Sequence, residues 1–266
     1  LPTSLVEFAK AGLQDPVLVR LDAETKISEE LEMAYFTIKD GEREAALAYI
    51  LQSVIKMPLA NEQQLKYLAE ADDDDGDDNY SGRFGKGTKL PPANELPSPH
   101  STIVFTPTKY HVEYIAGILK DLGYAVSYIY GTLDQAARKQ QLYRFRAGKT
   151  TILVVTDVAA RGIDIPVLAN VINYSLPSSP KVFVHRVGRT ARAGRRGWAY
   201  SLIRESDIPY LLDLELFLGR KILLPFQVQL GERINYTERL VIGSLPREGL
   251  EQSMEEVESV IKRNYD

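Results

Sequence analysis

Apolar residues recur along this chain in two rhythms. Short unbroken runs alternate with stretches in which they return every third or fourth position. Thr102-Ile103-Val104-Phe105 is a run of the first kind, the pattern of a strand covered on both faces. Helical spacing follows it. Val112, Ile115, Ala116 and Leu119 fall at i, i+3, i+4 and i+7, behind Thr108 as N-cap and ahead of Gly123 as a stop. Val126 to Tyr130 reads as a second strand. Asp134 caps a second helix, with Leu142 and Phe145 inward and Gly148 past its end. Ile152 to Val155 and Val171 to Tyr174 predict two more strands, a third helix follows Pro180, and Trp198 to Ile203 predicts a fifth strand. Upstream, Leu31 to Ile38 predicts a strand, and Leu47, Ile50, Leu51 and Val54 mark one face of a helix.

Strand–helix alternation with short links predicts an α/β fold, a parallel sheet covered by helices on both faces. In such sheets ligands bind beyond the C-terminal ends of the strands. The segments after Phe105, Tyr130, Val155 and Tyr174 are therefore where chemistry is expected. From about residue 205 the pattern is less diagnostic. Leu250, Met254, Val257 and Ile261 form a stripe on a terminal helix, expected to pack on this chain or on a partner. The glutamates of that helix come early and Lys262 and Arg263 late, as the helix dipole favours.

Composition narrows the classes. The chain has 266 residues and no cysteine, which excludes a disulfide scaffold and Cys-ligated zinc or iron–sulfur sites. His100, His111 and His185 are too few for a His-rich metal centre. Apolar runs fall far short of the ~20 residues that span a bilayer, so no membrane partner is expected. No signal-peptide pattern opens the chain, and its first residue is Leu1, so it reads as a fragment or a processed product. The net charge of −4 conceals a segregation. Glu70, Asp72, Asp73, Asp74, Asp75, Asp77 and Asp78 cluster in an acidic stretch, and a Gly/Pro-rich stretch follows up to His100. This reads as a long, partly disordered surface insertion at 72–100, a solvated tether rather than a binding segment. Arg138, Lys139, Arg144, Arg146 and Lys149 form a basic block, and Lys181, Arg186, Arg189, Arg192, Arg195 and Arg196 form another. Local charge, not the pI of about 5.6, bears on nucleic-acid binding.

Four segments carry candidate chemistry. His185-Arg186-Val187-Gly188-Arg189-Thr190-Ala191-Arg192 is the strongest: on a helix, Arg186, Arg189 and Arg192 point to about one side. Three guanidiniums on one stripe suit polyanions, because their forks match phosphate oxygens bidentately. Spacing alone weighs a solvated basic face about equally. Thr156 to Asp164 follows a buried strand. Gly162 there permits close backbone approach, and Asp164 can accept from hydroxyls such as those of a ribose; the plainer reading is a loop that closes the sheet with Asp157 as N-cap. Gly131 to Arg138 places Gln135 and Arg138 on the first turn of a helix, a setting that suits phosphate. Thr106-Pro107-Thr108-Lys109 ends the first strand.

Together, Ile103-Val104-Phe105, Gln135 to Arg138, Thr156-Asp157 with Ala160 to Asp164, and His185 to Arg192 resemble, in order and spacing, motifs IV, IVa, V and VI of the DEAD-box RNA helicases. The resemblance implies the second RecA-like lobe of an ATP-dependent RNA helicase over residues 21–204. Residues 1–20 are then the end of a first lobe and the interlobe linker, and 205–266 a C-terminal extension. By the same resemblance Arg189 and Arg192 reach the γ-phosphate, Asp164 holds the ATP ribose, and Gly162 belongs to the ATP site. Thr108, Gly131, Arg138 and Thr156 hold the RNA backbone, and His185, Arg186 and Gln135 couple the two sites. Two residues depart from the family pattern: Ala191 stands where many members have Gly, and Ser175 where many have Asp. The tail around Arg239 to Leu250 is similar to a nucleolar member that assists large ribosomal subunit assembly. That implies pre-ribosomal RNA and pre-60S assembly proteins as partners, and the nucleolus as location.

A P-loop and a metal-binding Asp-Glu-Ala-Asp are both missing. Gly148-Lys149-Thr150 imitates the end of a P-loop, but Tyr143 fills the first Gly position; Gly85-Lys86 fails likewise at Tyr80. Ala69-Glu70-Ala71-Asp72 lacks the first carboxylate and follows a helical pattern. The expectation is an arginine half-site for ATP, with Mg²⁺ ligands on the missing first lobe and no hydrolysis by this chain alone. The rival readings are a non-catalytic helicase-like scaffold in a ribonucleoprotein assembly and, less favoured, a DNA translocase. Arginines set for a γ-phosphate argue against the scaffold.

Overall fold

A computed structural model of the chain describes residues 27–73, 91–192, 194–228 and 233–265. The expected linker at 1–20 and most of the acidic insertion lie outside these. The described residues form one parallel sheet of eight strands: β1 (Leu31–Thr37), β2 (Thr102–Phe105), β3 (Val126–Ile129), β4 (Ile152–Val155), β5 (Asn170–Asn173), β6 (Gly197–Ile203), β7 (Ile222–Leu223) and β8 (Leu240–Ser244). Their order across the sheet is β3-β4-β2-β5-β6-β1-β8-β7. The expected α/β class is what the chain adopts, and the five strands read between 102 and 203 lie within a residue of their expected bounds.

The helices are α1 (Arg43–Tyr49), α2 (Glu62–Asp73), α3 (Lys109–Asp121), α4 (Gln135–Arg146), α5 (Asp157–Ala160), α6 (Pro180–Val187), α7 (Ile208–Leu218) and α8 (Arg247–Tyr265). They cover both faces. Within each all-apolar strand neighbouring residues part company, as the pleat requires. Val104, Ile152 and Val154 join α1 and α3 in one core. Ile103, Leu153 and Val155 join Phe145 of α4, Phe183 of α6 and Leu211 of α7 in the other. The caps follow the sequence. Thr108 Oγ1 accepts from His111 N at 3.4 Å and Asp134 Oδ1 from Ala137 N at 2.7 Å. Gly123 and Gly148 close α3 and α4 with φ of +90° and +67°.

One expectation needs correction, and the tail gains definition. The α1 stripe breaks at its end, because residues Ile50–Val54 form a π-turn. A π-turn adds residues to the turn and rotates the following side chains. Val54 is thus 39% exposed and Ile55 takes its place inside. The tail beyond residue 205 is not undiagnostic in space: β8 pairs with β1 and β7 with β8, both parallel, extending the same sheet. The terminal helix packs on this chain, with Val257 against Ala48 of α1 and Ile118 of α3. Its buried face is Leu250, Ser253, Val257 and Val260, with Met254 and Ile261 only partly buried beside it. Among the described residues no helix is long and apolar enough to cross a membrane.

Candidate functional site

The C-terminal ends of β2, β4 and β5 converge on one side chain. Arg186, on α6, donates from Nε and Nη2 to the two carboxylate oxygens of Asp157, each at 2.7 Å. Its Nη1 donates to Asn173 Oδ1 at 3.0 Å and to the Ser175 carbonyl at 2.6 Å. The guanidinium lies 4.8 Å from the centre of the Phe105 ring. Asn173 in turn donates to Ser201 Oγ at 3.0 Å, which brings in β6. Arg186 is 3% exposed. This corrects the expected stripe of three arginines. α6 ends at Val187 with Gly188 as C-cap, so Arg189 and Arg192 stand beyond the helix and Arg186 turns into the sheet. The sequence carried a signal for this: Arg186 lies three residues after Phe183, on the inward face that Val187 shares.

Arg189 is held differently. Its backbone carbonyl accepts from Leu168 N at 3.0 Å, and Thr190 Oγ1 donates to the Leu168 carbonyl at 2.7 Å. The backbone is pinned, yet the side chain has no ion-pair partner among the described residues. Arg189 borders two clefts. One, of about 350 Å³, is lined by Phe105, Asp157, Arg161, His185 and Arg186. The other, of about 300 Å³, is lined by Ser28, His185, Gly188 and Arg192. Partial burial, and then the charge of Arg192, push the Arg189 guanidinium below its ordinary pKa, and Asp164 pulls the other way. Arg189, Arg192 and Asp164 therefore share one electrostatic neighbourhood. Arg192 is exposed and its Nε donates to the Gly188 carbonyl.

Asp164 projects its carboxylate into water at 71% exposure, with Arg146 Nη1 at 3.3 Å. Gly162, two residues earlier, is exposed and has φ of +79°. On the other side of α5, Thr156 is buried and caps that helix, its Oγ1 accepting from Ala159 N at 3.3 Å. The N-cap is thus Thr156, and Asp157 is freed to pair with Arg186. Arg138 Nη2 donates to the Ala159 carbonyl at 3.1 Å, joining the start of α4 to α5. Gly131 is exposed beside them: a Cβ built on it would lie 4.0 Å from Val158. Gln135 is exposed one turn before Arg138. Thr108 stands apart at the head of α3, its hydroxyl 2.8 Å from His111 Nδ1. His185 is exposed between the two clefts.

Both departures from the family pattern have physical answers. Ser175 meets Arg186 through its backbone carbonyl, a contact that does not depend on its side chain. Ala191 has φ of +55°, the left-handed region that favours glycine. The reading of the sequence did not single out Asp157 and Asn173 as partners of Arg186, nor Arg161 on the cleft. Each of the first two lies at the end of an apolar strand, which is the signal that marks them.

The donor set fits the phosphates and ribose of a nucleoside triphosphate: two guanidiniums that bind no carboxylate among the described residues, and a carboxylate largely in water. It does not fit a metal. Among the described residues no group of three or more His, Asp or Glu is placed to hold one.

The architecture that carries this site is an all-parallel α/β sheet with arginines at the C-terminal ends of its strands. Residues 89–194 match the family model of the helicase conserved C-terminal domain. The whole chain aligns with ATP-dependent RNA helicase DBP10 of Candida albicans at 60% identity, in an alignment 293 positions long that covers 32% of that protein. It thus spans about a third of the length of the curated relatives it matches. The Escherichia coli DEAD-box protein SrmB, solved with regulator of ribonuclease activity A, superposes with a TM-score of 0.53 at 25% identity, over 85% of this chain and 94% of that one. Saccharomyces cerevisiae Dbp5 bound to RNA and ADP BeF3 shares the fold at a TM-score of 0.58 and 21% identity, over 97% of this chain and 52% of that one. The chain thus has the fold of DEAD-box C-terminal lobes and is similar over its whole length to ATP-dependent RNA helicases.

Proposed function

We propose that the complete protein is an ATP-dependent RNA helicase and that this lobe supplies its arginine fingers and half of its RNA surface. The observation that carries the reading is Arg189: pinned through its backbone, without an ion-pair partner among the described residues, and sharing an open cleft with Arg192. A cation held so, with no internal carboxylate, is set for a ligand's negative charge. ATP and single-stranded RNA bind between two lobes. Closure brings Arg189 and Arg192 to the transferring phosphate, Asp164 to the ribose, and Thr156, Arg138, Gly131 and Thr108 to the RNA backbone. Such arginines contribute roughly 10³–10⁵ in rate in related phosphoryl-transfer sites. When bound, Mg²⁺ neutralises charge on the phosphates, and its ligands belong to the first lobe. The tail's similarity to a large-subunit assembly helicase supports a role in ribosome biogenesis, with pre-ribosomal RNA and pre-60S proteins as partners in the nucleolus.

The test is ATP hydrolysis by the complete protein with single-stranded RNA, with single-stranded DNA and with neither. Strong stimulation by RNA alone is expected, and the isolated lobe should hydrolyse nothing. Stimulation by DNA to the same extent would replace the reading with a DNA translocase. Absence of turnover under all conditions would favour the scaffold.

A further inference from the structure

Asp164 is a mostly solvated carboxylate on the loop that follows Gly162, and such a side chain ordinarily samples several rotamers. Here one neighbour restrains it. Arg146, the last residue of α4, reaches the loop with Nη1, which lies 3.3 Å from both the Asp164 carbonyl and its carboxylate Oδ2. The grip is on backbone and side chain together. Arg146 comes from inside the lobe: its side chain is 5% exposed, and its Nε is buried without a hydrogen-bond partner. A buried cation needs a counter-charge, and a single nitrogen, Nη1, serves both oxygens of Asp164. Asp164 also acts electrostatically on Arg189, on the cleft side. The carboxylate is thus held by a buried cation while most of its surface stays in water.

We propose that Arg146 is a positioning residue for nucleotide binding: it fixes the Asp164 carboxylate in the orientation that accepts the ribose hydroxyls. The inference rests on the reading of Asp164 given above. It also has a consequence for the fold's wiring. α4 runs about 18 Å from end to end, with Gln135 and Arg138 on its first turn and Arg146 on its last. One rigid helix therefore joins the RNA-side surface to the residue that holds the ribose carboxylate.

The experiment measures binding, not turnover. With the complete protein and a saturating oligouridine, affinities are determined by isothermal titration for ADP–beryllium fluoride and for its 3′-deoxyribose counterpart. The wild-type protein should favour the hydroxylated ribose by about tenfold or more, the scale of a hydrogen bond to a charged group. Asp164→Asn should erase that preference. Arg146→Met, which keeps the volume and removes the charge, should erase it too, while leaving the affinity for the 3′-deoxy nucleotide within about twofold. The double variant should lose nothing further. If Asp164→Asn erases the preference and a folded Arg146→Met keeps it, the positioning role is wrong and the ribose assignment stands. If Asp164→Asn keeps the preference, both are wrong. Should Arg146→Met melt below the assay temperature, Arg146→Gln, which also removes the charge, decides: a reduced preference supports the proposal, and one of wild-type size overturns it.

Discussion

Gly188 divides the segment from Pro180 to Arg192 into two regions that share a residue type and nothing else. Before it, Arg186 places four hydrogen bonds on Asp157, Asn173 and Ser175 and is sealed against Phe105. After it, Arg189 and Arg192 have no carboxylate bound to them among the described residues and line open clefts. The first arginine closes the C-terminal edge of four strands; the others offer charge to something outside the lobe. A guanidinium satisfied by its own fold is structural, and one that the fold fixes at the backbone but leaves without a counter-charge is available to a ligand.

The sharpest way to break this comparison is to remove an arginine from each side. Arg189→Ala in the complete protein should lower RNA-stimulated ATP hydrolysis by roughly 10³-fold or more. The melting temperature of the lobe should barely move, because no internal partner is orphaned. Steady-state hydrolysis and a thermal melt on the same preparation check both halves. Activity within tenfold of wild type would mean that the free guanidinium is not the phosphate ligand.

Arg186→Ala should reverse the pattern. It leaves Asp157 without its counter-charge and Asn173 Oδ1 without its donor. Breaking a buried ion pair costs about 3–5 kcal/mol. The lower end applies here, because Asp157 keeps 27% of its side chain in water. For a domain of this size that lowers the melting temperature by roughly 6–12 °C. Denaturant unfolding of the isolated lobe measures it, and a loss below about 1 kcal/mol would show that the network closes without its central cation.

Much of this was legible beforehand, and the misses have common causes. The strands from Thr102 to Ile203 are runs of four or more residues buried on both faces, a pattern little else produces. Thr108 and Asp134 announce their helices by residue type. β7 and β8 were not legible: Ile222-Leu223 is two residues long, and Leu240 to Ser244 ends in Gly243 and Ser244, so neither makes a run. They exist because the free edge of β1 offers β8 a ladder and β8 offers one to β7, which is tertiary information. At the site, residue types marked Arg189, Asp164 and Thr156. Spacing alone could not say where α6 ends, and a helix extended past Gly188 put Arg186 on the wrong side. Arg146 was invisible as a partner of Asp164 because seventeen intervening residues, a strand and a tight loop bring the two together.

The smallest effect belongs to the turn between Arg189 and Arg192. Ala191 sits at φ of +55°, where an L-residue costs roughly 1–2 kcal/mol relative to glycine. Ala191→Gly removes that strain. Two terms oppose the gain. Glycine loses more backbone freedom on folding, about 0.5–1 kcal/mol. The methyl group, on a residue only 5% exposed in the core beneath α6, takes with it about 0.8 kcal/mol of burial. The terms nearly cancel, so the variant should melt within about 2 °C of wild type. Because Thr190 on one side is already bonded to Leu168 and Ala169, the turn should keep its shape and hydrolysis should be unchanged. A gain above about 4 °C would show that the methyl group packs poorly and that strain dominates. A loss of hydrolysis at unchanged stability would show instead that Ala191 stiffens the turn that aims Arg192, so that the open side of the comparison would depend on this one backbone angle as well as on its two guanidiniums.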